Sequence, residues 1–169
     1  MKKVNASVSK TTLTELVLPN DTNPLNNLMG GRLLHWMDIA AAISARRFCK
    51  RIVVTATVNH VSFNKPIPMG SVVTLEARVS RSFSSSMEVF VDVFMEETMT
   101  GEFVKCNQAI YTFVAVDQQG KPIEVPKLIP ETEEDKSRYE SALRRRQLAL
   151  VLSGRMDAKD ATELKSLFE

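Results

Sequence analysis

Between Arg32 and Arg46 the chain carries one formal charge, Asp38, inside an otherwise almost wholly apolar run, Leu33-Leu34-His35-Trp36-Met37-Asp38-Ile39-Ala40-Ala41-Ala42-Ile43-Ser44-Ala45. Most of these residues are good helix formers, and a helix apolar on most sides is expected to lie buried. A carboxylate in such a helix is costly to desolvate, so Asp38 needs partners or a purpose. The helix opens at Gly30-Gly31, where no side chain shields the first amides. Unpaired N–H groups at the positive end of a helix dipole favour a developing negative charge. The preceding segment, Asp21 to Met29, crowds Asp, Asn and Pro together, and each of these favours turns. An accessible helix start followed by one isolated acid outlines a site for carbonyl chemistry.

Around that helix the periodicity is that of strands. A first strand within residues 4–18 ends at Pro19, and the helix spans about 30–48. Ile52 to Phe63 is rich in Val and Thr, a strand composition. Val73, Leu75, Ala77 and Val79 alternate with polar residues, as do Met87, Val89, Val91, Val93 and Met95 with Glu88, Asp92 and Glu96; period two marks strands. A last strand runs from Phe103 to Val116. Turns are expected at 65–70, 82–86 and 98–101, and the short loops between the last three strands argue for an antiparallel meander. Thr132 opens a second helix that stops near Gly154, and a shorter helix covers about 158–168 behind Asp157. The fold class is therefore α+β: an antiparallel sheet able to wrap one long helix, with a domain at 1–130 and a helical extension at 131–169. Phe90 and Phe94 project from the other face of their strand and call for a second cover, the helical tail or another subunit.

Composition excludes several classes. A net charge of +2 is too small to argue for nucleic acid or an anionic membrane as partner. Cys49 and Cys106 form neither a metal-ligand spacing nor a secretory framework, and read as reduced thiols of a cytoplasmic protein. Met1-Lys2-Lys3 leads into a polar stretch and not a signal-peptide core. No apolar run is long enough to span a bilayer.

The segment Asp21-Thr22-Asn23, five residues on to Met29-Gly30-Gly31-Arg32-Leu33-Leu34-His35-Trp36-Met37-Asp38-Ile39-Ala40-Ala41-Ala42, resembles the signature of hotdog-fold acyl-CoA thioesterases. The bacterial broad-range and brain-type cytosolic acyl-CoA hydrolases are the nearest in pattern. The resemblance continues through Val53-Val54-Thr55-Ala56, Val61-Ser62-Phe63 with Pro66-Ile67-Pro68-Met69-Gly70, Ser85-Ser86-Met87-Glu88-Val89, and Thr112 to Pro122. It covers about residues 8–125. It implies a hotdog fold and hydrolysis of fatty acyl-CoA to free acid and CoA, with no metal or redox cofactor. It also implies a homodimer or trimer of dimers with sites at the dimer interface. Where the relatives usually carry Gly this chain has Asn26, which tolerates a left-handed backbone better than other non-Gly residues.

Thioester hydrolysis needs an aimed water, a proton acceptor and donors for the oxyanion. Asp38 is the one acid in the helix, and the resemblance assigns that position to catalysis, as general base or nucleophile. The resemblance gives Asn23 the positioning of water or substrate; a turn-forming Asn is the alternative. Gly30 and Gly31 would supply oxyanion-binding amides, or simply permit tight packing. Seven residues separate Gly31 from Asp38, about 10 Å at ~1.5 Å per residue, which is long for two groups serving one carbonyl. Two antiparallel copies would instead bring one chain's Asp38 to the other's Asn23 and Gly31. His35, one turn before Asp38, could pair with it as in hotdog dehydratases, and His60 reads as a satisfied sheet residue. A non-catalytic acyl-CoA-binding module is the other alternative. For the CoA phosphates the candidates are Lys50, Arg51, Arg81, Ser84, Ser85 and Ser86, with Arg144-Arg145-Arg146 possible from the tail. Met29, Met37, Met87 and Met95 could line an acyl tunnel, plain core being the alternative.

Overall fold

The structure, a computed structural model, describes residues 2–168. Its centre is α1 (Gly30–Cys49), laid across a five-stranded antiparallel sheet. The strands are β2 (Thr11–Leu16), β3 (Ile52–Phe63), β4 (Val72–Ser82), β5 (Ser86–Glu96) and β6 (Phe103–Val116), in spatial order β2-β4-β5-β6-β3. The predicted meander is β4-β5-β6, with Leu75 opposite Val93 and Val89 opposite Tyr111. β3 crosses to the far side and, among the described residues, pairs only with β6, so one of its edges carries no ladder there.

The core lies between α1 and the sheet. Leu33, Met37, Ala40, Ala41, Ala45 and Phe48 face Leu75, Ala77, Val79, Met87, Val89, Val91 and Val93, all buried. The alanines leave room for α1 to approach the sheet. The strand alternation in the sequence is thus the alternation of core-facing positions. Met37 and Met87 belong to this core, whereas Met29 is exposed and Met95 half-buried, so the four methionines do not form one tunnel.

Several boundaries differ from expectation. The first strand is two pieces: β1 (Lys3–Asn5) pairs in parallel with β7 (Lys127–Ile129), and a 3-10 turn at Ala6–Ser9 leads into β2. α1 ends when Lys50 turns left-handed (φ 56°) and its N–H closes on the Arg46 carbonyl at 2.9 Å, an end usually made by Gly.

α1 is not buried all round. Gly31, His35, Ile39 and Arg46 are exposed, and Leu34, Asp38, Ala42 and Ile43 are half-exposed. These positions recur at helical spacing and form one open stripe. It is continuous in character with β3, where Ile52 (54% exposed), Val54, Val58 and Phe63 (55%) stand open. An uncovered apolar surface therefore lies here and not at Phe90, which is buried, or Phe94, which is half-buried.

Contacts divide the chain into one compact unit ending at Ile129 and another beginning at Pro130. In the second, α2 (Glu133–Leu152) starts with a reciprocal cap: Asp135 N–H donates to Thr132 Oγ1 (3.1 Å) and Thr132 N–H to Asp135 Oδ2 (3.1 Å). Caps of this kind stabilise a helix by about 1 kcal/mol. The expected helix at 158–168 is instead a 3-10 turn at Ala158–Asp160 and a single turn, α3 (Thr162–Lys165). Asp157 makes no side-chain cap and Ala161 (ψ 65°) interrupts the path, and short uncapped helices do not persist. Among the described residues no helix is long and apolar enough to cross a membrane.

Candidate active site

The loop before α1 is built on two side chains. Asp21 is buried; its Oδ2 accepts from Leu18 N–H (2.9 Å), its Oδ1 meets Arg32 Nε at 3.1 Å, and its carbonyl accepts from Met29 N–H (2.9 Å). Asn23 Oδ1 accepts from Leu25 N–H (3.0 Å) and Asn27 N–H (3.2 Å). Backbone N–H groups only donate, so the Asn23 oxygen is fixed as the acceptor, and its NH₂ makes no hydrogen bond among the described residues. The turn-forming and site readings of Asn23 are compatible: the oxygen folds the loop and the NH₂ remains as a donor. Asn26 sits at φ 58°, the left-handed position that a Gly would otherwise fill.

At the start of α1 the N-cap residue, Met29, has no capping side chain. The first helical bond is Leu33 N–H to the Met29 carbonyl (3.0 Å), leaving the amides of residues 30–32 outside the helix's own ladder. The two glycines divide their roles. A Cβ on Gly30 would meet the Phe63 ring at 3.1–3.6 Å, so Gly30 is packed against β3; a Cβ on Gly31 would meet nothing within 4 Å. Gly31 is the open approach.

Two turns on, Asp38 stands half-exposed in the open stripe, contrary to the fully buried acid that composition predicts. Its Oδ1 accepts from Thr55 Oγ1 on β3 at 2.8 Å. One oxygen is thereby held, and Oδ2 is left to a proton or a carbonyl carbon. No hydrogen bond joins His35 to Asp38 among the described residues. His60 is an exposed residue of a β-bulge between Asn59 and Ser62, with φ 54°, and not a ladder-paired sheet residue. No group of three or more His, Cys, Asp or Glu among the described residues could hold a metal ion.

The phosphate-binding candidates fall in two places. Lys50 and Arg51, with Ile43, Arg46, Arg47 and Ile52, line a groove of about 730 Å³ at the C-terminal end of α1. Arg47 is committed to the Lys10 carbonyl (2.8 Å) and Thr11 Oγ1 (3.1 Å). Arg46, Lys50 and Arg51 form no ion pair with a carboxylate among the described residues. Asp117, the one acid of the groove, spends Oδ1 on the amides of Gln119 and Lys121. Arg81 lies over the Phe83 ring (5.8 Å). Ser84, Ser85 and Ser86 offer their carbonyls to Val125, Ala115 and Phe83 N–H, which closes the β4–β5 turn. In the tail, Arg145 bonds within α2, to Ser141 Oγ and the Arg138 carbonyl.

The family model described as Thioesterase superfamily matches residues 25–102. A Bacillus subtilis relative, the uncharacterised acyl-CoA thioester hydrolase YkhA, is 46% identical over 137 residues, covering 81% of this chain and 80% of its own. The chain belongs to the acyl-CoA thioester hydrolases of the thioesterase superfamily. Among solved structures, an apo-hexameric acyl-CoA thioesterase is similar at TM-score 0.84 and 38% identity, covering 87% of this chain and 94% of its own. The Staphylococcus aureus acyl-CoA hydrolase, solved with butyryl-CoA, CoA and CoA disulfide, is similar at TM-score 0.83 and 33% identity, covering 97% and 99%. The hotdog fold expected from the sequence is the fold of this family and of this chain.

Alanine variants of that Staphylococcus aureus hydrolase replace an Asn, an Asp and a Thr separated by fifteen and seventeen positions. Asn23, Asp38 and Thr55 have those separations here. The sequence reading singled out the first two residues and passed over Thr55 as one more strand residue. Its signal was the short Val53-Val54-Thr55-Ala56 match on a strand whose exposed side chains include Ile52, Val54, Val58 and Phe63.

Proposed function

We propose that this acyl-CoA thioesterase hydrolyses its substrate with Asp38 as general base or nucleophile, Thr55 holding that carboxylate, and Asn23 and the Gly31 amide as oxyanion donors. The observation that carries the reading is the half-open Asp38 carboxylate, tied at one oxygen and free at the other. In the general-base route Asp38 Oδ2 takes a proton from water as the hydroxide adds to the thioester carbonyl carbon. The oxyanion is met by Asn23 Nδ2 and the open amides at the start of α1. Collapse breaks the C–S bond; the sulfur leaves with the proton from Asp38, giving free acid and CoA thiol. In the nucleophilic route Asp38 Oδ2 adds to the carbonyl carbon, and the C–S bond breaks to expel CoA as thiolate and leave an acyl–Asp38 anhydride. Water then cleaves the anhydride, releasing the free acid, regenerating the carboxylate and supplying the proton that the thiolate takes up. A single turnover in ¹⁸O-water that leaves label in Asp38 identifies the second route, because water attacking the Asp38 carbonyl of the anhydride places its oxygen there, and the general-base route puts label in the product acid alone. Neither route needs a metal or redox cofactor.

The proposed assembly follows from the open surfaces. β3 presents an unpaired edge, and exposed strand edges invite another strand. A second copy added across it would extend the sheet, lay the two α1 stripes together and bring one chain's Asp38 towards the partner subunit's Asn23 and Gly31. The ~10 Å between Gly31 and Asp38 along one helix supports this arrangement, and the hexameric relative supports a trimer of dimers. The groove with Arg46, Lys50 and Arg51 is proposed to take the CoA phosphates, with Arg81 and the Ser84–Ser86 turn as the other candidate. The 1–130 domain is proposed to be the hotdog unit, and the enzyme cytoplasmic.

The test is free-thiol release from a panel of acyl-CoAs by wild type, Asp38→Ala and His35→Ala. Turnover by wild type and His35→Ala, and none by Asp38→Ala, is expected. A wild type that releases no thiol would leave a binding module or a dehydratase, since dehydration keeps the thioester intact, and loss confined to His35→Ala would move the essential role from Asp38 to His35. For the shared site, Asp38→Asn and Asn23→Ala are co-expressed; hybrids with one intact site should regain activity, and inactive hybrids confirmed by mass spectrometry would refute it.

A further inference from the structure

We infer that Tyr111 is a positioning residue of this enzyme: its hydroxyl, on β6, holds the turn of α1 that carries Asp38. The inference rests on the reading of Asp38 as the acting carboxylate. Tyr111 is 1% exposed, and its ring stacks near Phe113 at 6.2 Å between centroids. A buried phenol needs a partner, and this one donates not within the sheet but to the Leu34 carbonyl of α1, at 3.0 Å. In an α-helix that same carbonyl accepts the N–H of the residue four positions on, which is Asp38. A carbonyl oxygen has two lone pairs; one is committed to the amide of Asp38 and the other to Tyr111.

Asp38 is thereby tied to the sheet twice. Its backbone is linked through Leu34 to Tyr111 on β6, and its carboxylate to Thr55 on β3. The two anchors are set by one ladder, because Thr55 is opposite Phe113, two residues along β6 from Tyr111. β6 lies between β5 and β3 in the sheet, so the Tyr111 bond references the helix to a strand laddered on both sides. The Asp38 charge also raises the Tyr111 pKa, after the larger effect of burial. The phenol therefore stays protonated and keeps donating.

Tyr111→Phe removes the hydroxyl and keeps the ring. A 1 Å misplacement of reacting groups costs about a hundredfold, and loss of one of two anchors is expected to cost kcat roughly tenfold, with KM within about twofold of wild type. The decisive comparison is the Asp38→Asn background: there Tyr111→Phe should leave the residual rate unchanged, since the group being positioned is gone. A kcat within twofold of wild type, a loss carried by KM alone, or an equal fold-loss in both backgrounds would overturn the inference. Failure of the underlying reading looks different, because then Asp38→Asn alone would keep near-wild-type turnover.

Discussion

The bond from Thr55 to Asp38 can be removed at nearly constant shape. Thr55→Val exchanges the hydroxyl for a methyl on an edge strand that favours β-branched residues, so the fold is expected to survive. The lost interaction is a hydroxyl donating to a carboxylate at 2.8 Å. Bonds to charged groups contribute about 1.5–3 kcal/mol. Both partners are partly open to solvent, so water recovers some of this, and ~1–2 kcal/mol is the fair range for the loss. If that loss falls on the transition state, at about 1.4 kcal/mol per tenfold it predicts a roughly 5- to 30-fold fall in kcat. Thr55→Ser keeps the donor and should keep most of the rate. The assay is thiol release at saturating acyl-CoA, with circular dichroism confirming the fold. Thr55→Val turning over within twofold of wild type would refute the reasoning. So would Thr55→Ser losing as much as Thr55→Val, since the hydroxyl would then not be what matters.

Three further outcomes are expected. Asn23→Asp keeps the oxygen that accepts from Leu25 and Asn27 but loses the NH₂ donor, so it should fold like wild type and lose turnover on the order of a hundredfold; preserved turnover would leave Asn23 as a turn former only. Gly30→Ala pushes a methyl onto the Phe63 ring and should lower the melting temperature by about 2–4 °C, a loss of ~1 kcal/mol, whereas Gly31→Ala meets open space, should not destabilise, and should slow turnover by crowding the exposed amide; differential scanning fluorimetry alongside the thiol assay reads both. Tyr111 should ionise well above the ordinary phenol range, because burial and then the Asp38 charge both disfavour phenolate. Asp38→Asn removes the second cause and should move the titration down, as read by phenolate absorbance in a Tyr139→Phe background where Tyr111 is the remaining tyrosine.

Asp38 was legible in the sequence because a lone carboxylate in an apolar helix is an anomaly, and anomalies survive without coordinates. The strands were legible because alternation is a local property; the pairing of β1 with β7 was not, because Lys3 and Lys127 meet only through the folded chain. The open stripe on α1 was misread for a physical reason. Leu34, Ile39 and Ile43 are equally apolar whether they face their own sheet or a second copy, so composition cannot say which solvent-free surface they await. Thr55 and Tyr111 escaped for another. Both are favourable strand residues, Tyr111 in a strand that alternates and Thr55 beside a register irregularity of β3 that exists only in the folded ladder, so no physical anomaly in the sequence marks them. Their roles come from register: once β3 is set against β6 with Thr55 opposite Phe113, one hydroxyl reaches the carboxylate and another reaches the carbonyl behind it. The acid announces itself because it is out of place. The groups that aim it are invisible in the sequence because each is, taken alone, in its ordinary place.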